Sequence, residues 1–395
     1  MPSERLTVRT IDAIAQIPAA AWDACANPKG MSAEAMGGDR FNPFLCHAFL
    51  DALERSGSVG GRSGWTPIHV LVEDADKRLV ACAPAYVKAH SQGEYVFDHG
   101  WAEAYSRVGG RYYPKLQVAV PFTPVPGRRL LTAADAPPAA EGALIAGLRA
   151  VREAIKASSI HITFASEGES RRWSGEGWLA RTGEQFHFFN DGYADFDGFL
   201  AALSSRKRKA IKRERRDALG GDLRVEHVTG AALAKAHWDA FFQFYMDTGS
   251  RKWGHPYLNR KFFDLVGASI PERIALFIAY RGDAPIAGAL NFIGDDALYG
   301  RYWGAQEQRP FLHFELCYYQ AIDFALARGL SRVEAGAQGE HKLLRGYRAV
   351  ATHSLHELAD RRLSVAVEEY LVRERAAVEN AIAESVDALP FRNEN

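Results

Sequence analysis

The spacing of apolar and polar residues in the first half of the chain predicts helices and strands in a definite order. Residues 44–55 carry apolar side chains every three or four positions, which is typical of an amphipathic helix. Two apolar runs, 68–72 and 79–87, are separated by a polar stretch and predict a hairpin. Residues 140–157 again have helical spacing, and 159–164 form a strand-sized apolar run. The first half is therefore predicted as helix, antiparallel strands, helix and strand.

The second half repeats this order. Its predicted elements are helices at 236–248 and 258–266, strands at 274–280, 285–293 and 298–303, a helix at 311–327 and a strand at 331–335. A repeated order of elements indicates a divergent internal duplication. We therefore predict two domains, 1–195 and 196–395. The second domain also carries a basic helix at 204–216 and a C-terminal amphipathic helix at 364–389.

Composition and charge exclude several classes of protein. Apolar residues make up 47% and charged residues 24%, as in a globular protein, and no segment is long and apolar enough to span a bilayer. Lys+Arg and Asp+Glu are both 48, so a protein that binds DNA over its whole surface is not expected. No secretory signal is visible at the N-terminus. We predict a cytoplasmic protein.

Neither cysteine nor histidine spacing predicts a metal site. The four cysteines form no CxxC pair, which also argues against a disulfide framework. His353 and His356 lie three positions apart, so on a strand their side chains would point to opposite faces. No carboxylate lies at ligand spacing beside them. We therefore predict no metal and no permanently bound cofactor.

Several segments resemble the FemAB-like family (peptidoglycan biosynthesis/recognition) of predicted N-acyltransferases, within the GNAT acyltransferase superfamily. The resemblance covers about residues 40–390 of the chain. It is carried by 42–54, Tyr113-Pro114-Lys115-Leu116-Gln117 with the residues up to Pro124, Tyr302-Trp303-Gly304, Leu312-His313-Phe314-Glu315-Leu316-Cys317-Tyr318-Tyr319-Gln320, Gly336-Ala337-Gln338-Gly339-Glu340-His341-Lys342 and Thr352-His353-Ser354.

This resemblance implies an α/β (α+β) fold of two tandem GNAT-like units, each a mixed, mostly antiparallel sheet flanked by helices. It also implies an N-acyltransferase with acyl-CoA, or an acyl carrier protein, as co-substrate. One departure stands out. GNAT enzymes usually have glycines at the turn that receives the CoA pyrophosphate, where backbone N–H groups approach phosphate closely. Here that turn is Gln308-Arg309-Pro310-Phe311-Leu312-His313, without glycine.

The resemblance also implies site residues. Glu315 is the expected general base, with His313 orienting or relaying the proton, and Glu340 or His341 is the alternative base. Backbone N–H groups near Tyr302, Trp303 and Gly304 are expected to hold the oxyanion. For the base, Glu315→Gln is expected to abolish turnover. The expected ligands for phosphate or carboxylate are Arg309, Lys342 and Arg345.

The basic segment is the strongest charge feature of the sequence. Eight of the eleven residues at 206–216 are basic, and like charges four positions apart, such as Arg208 and Lys212, repel. On a helix these charges cover nearly all faces and leave Ala210 and Ile211 as anchors. The expected partners of Arg206, Arg208, Lys209 and Lys212 are anions: CoA phosphates, a tRNA acceptor stem, a lipid-linked pyrophosphate or the anionic inner membrane leaflet.

The predicted acceptor is an amine of the bacterial cell envelope, on a peptidoglycan precursor or on a lipid such as a sphingoid base. Zero net charge favours acyl-CoA or an acyl carrier protein over aminoacyl-tRNA as the donor. Two alternatives stay open: a tRNA-dependent peptidoglycan aminoacyltransferase, and a non-catalytic module that recognises peptidoglycan or anionic lipid. Peripheral contact with the inner membrane is a further expectation.

Overall fold

The computed structural model describes residues 5–30, 40–252, 256–337 and 339–392, apart from the side chains of 250–252 and 340. The chain divides into two compact units. The first comprises Met1–Gly183 and Thr352–Val378, and the second comprises Glu184–Ala351 and Glu379–Asn395. The division predicted from sequence, 1–195 and 196–395, differs at both ends. The reason is that Thr352–Val378 belongs to the first unit, where β15 pairs with β8 and the start of the C-terminal helix is buried.

The strands of both units are numbered in chain order. They are β1 (Thr7–Ile11), β2 (Trp65–Pro67), β3 (His69–Glu73), β4 (Leu79–Ala83), β5 (Ala85–Lys88), β6 (Lys115–Val118), β7 (Leu131–Thr132), β8 (Ser159–Ala165), β9 (Leu179–Phe189), β10 (Leu223–Thr229), β11 (Ile274–Arg281), β12 (Ala284–Ile293), β13 (Ala297–Ala305), β14 (Arg332–Glu334) and β15 (Arg348–Leu358).

The helices are numbered in the same way. They are α1 (Ala19–Ala26), α2 (His47–Arg55), α3 (His99–Arg107), α4 (Ala140–Ala154), α5 (Glu167–Ser174), α6 (Phe196–Ala202), α7 (Ser205–Leu219), α8 (Lys235–Lys252), α9 (Arg260–Ser269), α10 (Leu312–Phe314), α11 (Gln320–Ala327) and α12 (Arg361–Ser385). A π-helical segment, Glu315–Tyr319, joins α10 to α11, and a 3₁₀ helix spans Glu340–Arg345.

The first unit contains a small sheet in the order β1-β3-β4-β7 and strands in the order β15-β8-β6-β5-β2. The predicted hairpin is confirmed, because β3 and β4 pair antiparallel. β6 and β8 are parallel and are connected through α4. The apolar face of α4, including Leu144 and Leu148, is buried in the core of this unit with strand residues such as Val70 and Ile160.

The second unit contains strands in the order β10-β11-β12-β13-β14-β9. β11, β12 and β13 form an antiparallel meander, and β13 runs parallel to β14, to which it is connected through α10 and α11. Both units thus contain antiparallel strands followed by a strand, a helix and a parallel strand. The predicted fold class is confirmed: an α/β protein with two units, each a mixed and mostly antiparallel sheet flanked by helices.

The C-terminal helix predicted at 364–389 is α12, which begins at Arg361. Its buried residues recur at every fourth position, Leu363, Val367 and Leu371, and they pack in the first unit with Trp101 and other residues of a small apolar cluster. Within the described ranges, no helix is both long enough and apolar enough to cross a membrane.

Candidate functional site

A pocket of about 640 Å³ lies in the second unit, at the end of β13. It is bounded by that strand, by the turn that follows it, by the start of α10 and by Thr248 of α8. Its lining residues are Thr248, Trp303, Ala305, Glu307, Gln308, Arg309, Pro310, Leu312 and His313. Three residues predicted for the site, Trp303, Arg309 and His313, are therefore brought together around one cavity.

The pocket opens where β13 separates from β14. The parallel pairing of these strands is limited to Ala297–Tyr299 on β13, although β13 continues to Ala305. On its other side β13 stays paired with β12, with a register shift between Leu290 and Asn291. The last residues of β13 therefore have one edge that does not pair with β14, and a ligand can approach them from that side.

Backbone N–H groups of β13 are directed to this edge. The N–H of Gln306 donates to the carbonyl of Ile286 on β12 at 3.0 Å, whereas that of Ala305 donates to Thr248 Oγ1 at 3.3 Å. Because successive N–H groups on a strand alternate in direction, the N–H of Trp303 points the same way as that of Ala305. A backbone N–H at such a strand edge can donate to an oxyanion, and the sequence prediction places oxyanion donors near Tyr302, Trp303 and Gly304.

The turn after β13 takes a glycine-like conformation without a glycine. Phe311 has φ of 60°, in the left-handed region that non-glycine residues seldom occupy, and α10 begins directly after it. Strained backbone of this kind is concentrated at ligand-binding turns. The sequence therefore departs from the usual GNAT pattern in lacking a glycine at this turn, but the turn still contains a residue in the left-handed conformation.

His313 stands at the pocket and is part of a cluster of aromatic rings. Its ring lies 5.3 Å from that of Trp303 and 5.3 Å from that of Tyr318, measured between centroids. The hydroxyl of Tyr318 is 3.1 Å from His341 Nε2. Burial, with the nearby charges of Arg345 and Lys342, lowers the pKa of His341, which favours its neutral form near pH 7. The two histidines flank one tyrosine.

Glu315 is buried away from solvent and is held by charged and polar partners. Its carboxylate, with no exposed surface, accepts hydrogen bonds from Arg215 at 3.0 Å and from Gln320 Nε2 at 2.6 Å. Arg215 also binds Asp323 at 2.7 Å. Glu315 begins the π-helical segment, and π-helical turns inside α-helices are frequent at functional sites. This arrangement fixes the helix to α7 and leaves the carboxylate no free path to a substrate.

Lys342 and Arg345 bind groups of the protein itself. The three N–H donors of Lys342 are directed to the carbonyls of Ala335, Gly336 and Ala337 at 2.8–3.1 Å, and burial lowers its pKa to about 8. An ammonium has three donors, so none is directed to a phosphate. Arg345 binds both carboxylate oxygens of a glutamate, Glu214, and the carbonyl of His341.

Tyr302 and Gly304 pack against α8. Tyr302 contacts Tyr245 with ring centroids 5.3 Å apart, and burial raises its pKa. A Cβ atom at Gly304 would lie 2.1 Å from the carbonyl oxygen of Phe244, so only glycine allows α8 to approach β13 this closely. These residues shape the pocket through the backbone rather than through reactive side chains.

Arg309 is the cation at the rim of the pocket. Its guanidinium makes two hydrogen bonds to the carboxylate of Asp222, at 2.7 and 3.1 Å, and these bonds lower the pKa of Asp222. A guanidinium has five N–H donors, so the pair with Asp222 leaves donors for a second anion.

A buried acid, Glu334, lies where β14 leaves β13, and the sequence reasoning missed it. Its register neighbours are Tyr299 on β13 and His187 on β9, and its Oε1 accepts from Arg332 Nε at 3.0 Å. Burial raises its pKa, although Arg332 and Arg301 act in the opposite direction. The available signal was a carboxylate at the end of the short predicted strand 331–335.

The basic segment forms α7, and only part of it faces solvent. Ile211 and Ala218 are buried, and Glu214 and Arg215 point toward the 3₁₀ helix and α10–α11, where they form ion pairs. Of the predicted anion ligands, Arg206, Lys209 and Lys212 are exposed and Arg208 is half-buried. Lys212 lies 3.5 Å from Asp197.

One predicted residue cannot be placed. The side chain of Glu340 lies outside the described part of the structure, as does Gln338 beside it. For the residues that are described, no group of three or more His, Cys, Asp or Glu is arranged to hold a metal ion.

The fold and the pocket define an α/β protein of two units whose second unit has an open strand edge beside a helix start. Comparison of sequences identifies the family. The chain belongs to the FemAB-like family, described as peptidoglycan biosynthesis/recognition, whose profile matches residues 13–393. The predicted membership is thus confirmed. A comparison with curated proteins found no match.

Of three similar solved structures, FemX supports the fold. The crystal structure of FemX is 13% identical and matches 91% of this chain and 100% of its own, with a TM-score of 0.55. A tandem GNAT protein from the clavulanic acid biosynthesis pathway is 10% identical over 90% of this chain and 99% of its own, with a TM-score of 0.46. L-PGS from Bacillus licheniformis is 8% identical over 82% of this chain and 96% of its own, with a TM-score of 0.49. At these identities the FemX likeness concerns the fold alone.

Proposed function

We propose that the protein is an N-acyltransferase that moves an acyl group from a thioester, acyl-CoA or acyl carrier protein, to an amine of a cell-envelope component. The observation that carries the proposal is the pocket at the edge of β13. It is lined by Trp303, whose backbone N–H is expected to point away from β12, by the imidazole of His313 and by the guanidinium of Arg309. These groups match the needs of acyl transfer: an oxyanion donor, a proton acceptor and a phosphate ligand.

In the proposed reaction the amine nitrogen attacks the thioester carbonyl. The N–C bond forms, the C–S bond breaks, and the oxyanion of the tetrahedral intermediate accepts a hydrogen bond from the N–H of Trp303. His313 takes the proton of the attacking amine and returns it to the departing thiolate. We assign this role to His313 rather than to Glu315, because His313 lines the pocket whereas the Glu315 carboxylate is occupied by Arg215 and Gln320.

The acceptor in this proposal is an amine of a peptidoglycan precursor or of a lipid such as a sphingoid base. Membership of a family described by peptidoglycan biosynthesis or recognition supports an envelope component. For the donor, Arg309 at the pocket rim supports a phosphate-bearing carrier, and the turn at Phe311 supports close approach of the backbone to it.

The test is turnover by the purified protein with acyl-CoA and a panel of such amines, followed by mass spectrometry. His313→Gln is expected to lower kcat at least about 100-fold, as loss of a general base does. Glu315→Gln is expected to retain most of kcat, and His353→Gln in the first unit serves as the matched histidine control. Loss of turnover in Glu315→Gln, with His313→Gln active, would return the base to Glu315.

The alternative donor is aminoacyl-tRNA. This donor is compatible with a family described by peptidoglycan biosynthesis. The same assay separates the two, because only one donor class should be consumed. Absence of turnover with every donor, together with binding to cell-wall fragments or anionic lipid, would favour a recognition module.

A further inference from the structure

The exposed face of α7 carries a set of cations that do not line the pocket. Arg206, Lys209, Arg213 and Arg216 recur at spacings of three or four, so they form one stripe along the helix, with Lys212 beside it. Over ten residues a helix rises about 15 Å. The stripe of cations is therefore about 15 Å long and as wide as one helix.

Most of this charge is not neutralised by the protein. In the described ranges, Arg206, Lys209 and Arg213 form no ion pair, while Arg216 is paired with its own neighbour Asp217 and Lys212 lies 3.5 Å from Asp197. By contrast, the inward residues of α7 are satisfied: Glu214 binds Arg345, and Arg215 binds Glu315. The stripe is thus held rigidly by the opposite face of the same helix, with its cations directed to solvent.

The C-terminal end of α7 adjoins the pocket. The helix ends at Leu219, and a Cβ atom at the next residue, Gly220, would lie 1.8 Å from Nη2 of Arg309, which lines the pocket rim. The next acid, Asp222, binds the same guanidinium. The cation stripe therefore leads along the helix to the position where the donor is expected to enter.

We propose that this stripe, made of Arg206, Lys209, Lys212, Arg213 and Arg216, docks an acidic helix of a phosphopantetheine-bearing acyl carrier protein. The inference rests on the proposed function and specifies its donor. Helix-to-helix charge pairing fits a stripe whose cations recur at helical spacing. The flexible pantetheine arm of a docked carrier would then extend past Arg309 into the pocket.

Other anions fit the stripe less well. CoA presents its phosphates in one compact region, which a single cation such as Arg309 and the adjoining turn can serve. A membrane-binding helix places apolar side chains beside its cations. Here the apolar residues of α7, Ile211 and Ala218, face the protein, and none of the large apolar residues described as exposed belongs to α7. A nucleic acid requires a broad basic surface, whereas acids flank this stripe.

The experiment compares wild type with Lys209→Glu/Arg213→Glu. Its matched control is Arg361→Glu/Arg373→Glu, which reverses two exposed cations on α12 and changes the net charge equally. Binding of a fluorescently labelled acyl carrier protein is measured by anisotropy, and apparent KM is measured for the same acyl chain on the carrier and on CoA. Circular dichroism checks that each variant is folded.

We expect the stripe variant to bind the carrier about tenfold more weakly or worse, with a KM for acyl-CoA within about twofold of wild type and the control unchanged. Binding should also weaken as salt is raised. Unchanged carrier binding in the stripe variant, or loss of binding only to vesicles containing anionic phospholipid, would overturn the inference. Turnover of acyl-CoA without any carrier binding would overturn it and leave the proposed function standing. Turnover of neither donor would overturn the proposed function, and loss of carrier binding in the variant would still support the docking surface.

Discussion

Replacing Lys115 by methionine is expected to destabilise the first unit, because this lysine is the buried counter-charge of two carboxylates. Its Nζ, fully buried, lies 2.7 Å from Glu94 Oε2 and 2.8 Å from Ser91 Oγ, and it also binds Asp98 Oδ2. Lys88 lies 3.8 Å from the other oxygen of Glu94, so Glu94 keeps a cation in the variant. In the variant, the buried carboxylate that loses its cation is therefore that of Asp98.

The magnitude follows from the protonation of Asp98. In the wild type Lys115 holds the pKa of Asp98 well below its ordinary value, in spite of burial. Without Lys115 the buried carboxyl must take up a proton, which at pH 7.5 costs about 5 kcal/mol for a group of ordinary pKa near 3.8. Relief from burying the ammonium offsets part of this cost. We expect the free energy of unfolding to fall by about 3–5 kcal/mol, as for other broken buried pairs.

The direction in which the destabilisation changes with pH tests this explanation. In the variant the folded-state pKa of Asp98 is raised above its unfolded value, so the penalty is full at high pH and shrinks as pH falls. Between pH 7.5 and 5.5 it should decrease by about 2.7 kcal/mol, since each pH unit is worth about 1.4 kcal/mol per carboxyl.

The assay is urea unfolding at several pH values, with hydrogen exchange over residues 88–118 to locate the effect. A control that also removes both acids, Lys115→Met/Glu94→Gln/Asp98→Asn, should recover much of the loss because no buried charge is left unpaired. A difference from wild type below about 1 kcal/mol at pH 7.5, or one that does not change with pH, would refute the reasoning.

Further predictions concern single residues. Gly304→Ala should lower the free energy of unfolding by about 2–3 kcal/mol, because the added methyl meets the backbone of α8. As its control, Gly142→Ala should raise the free energy of unfolding by about 0.5–1 kcal/mol, because a Cβ there meets nothing within 4 Å. Burial lowers the pKa of His161 to about 3 and that of its neighbour His356 well below its ordinary value, so the unfolded state takes up protons first below pH 6.5. In an acid titration, stability should therefore fall as pH falls, and His161→Gln should reduce that slope by about 1.4 kcal/mol per pH unit while His356 keeps its own contribution. Lys342→Met should destabilise the second unit by about 1.5–3 kcal/mol while KM for acyl-CoA stays within about twofold, whereas a large rise in KM would make Lys342 a phosphate ligand.

The strands that the sequence predicted are those with uninterrupted apolar runs. β11 and β12 are buried along nearly their whole length, and polar turns separate them from each other and from β13. β10 was not predicted because its residues are largely exposed, which breaks the apolar run. β15 was missed for another reason: its buried polar residues find partners on β8, as His356 does with His161 at 2.7 Å. Such partners are distant in sequence, so the pattern of β15 alone gives no strand signal.

The same dependence on partners distant in sequence explains which residues of the candidate site could be predicted. Trp303, Arg309 and His313 are close in sequence, on one strand, its turn and the next helix, so their meeting could be predicted from local order. The family resemblance made Glu315 the expected base. Its ion pair with Arg215, which lies 100 residues earlier in the chain, could not be read from that local sequence. A sequence shows that a residue carries a charge, but whether that charge is free depends on contacts that only the fold supplies.

The basic segment shows how much this difference matters. In the sequence its cations cover nearly all faces of a helix, with Ala210 and Ile211 as the expected anchors. In the structure the anchoring comes from Ile211, Ala218 and the ion pairs of Glu214 and Arg215, while Ala210 is only half-buried. One glutamate among eight basic residues therefore faces inward beside an arginine, and five of the other cations, those of the stripe, lie along one outer face. A run of like charge becomes a directed surface because two of its charged members are used to hold the helix in place.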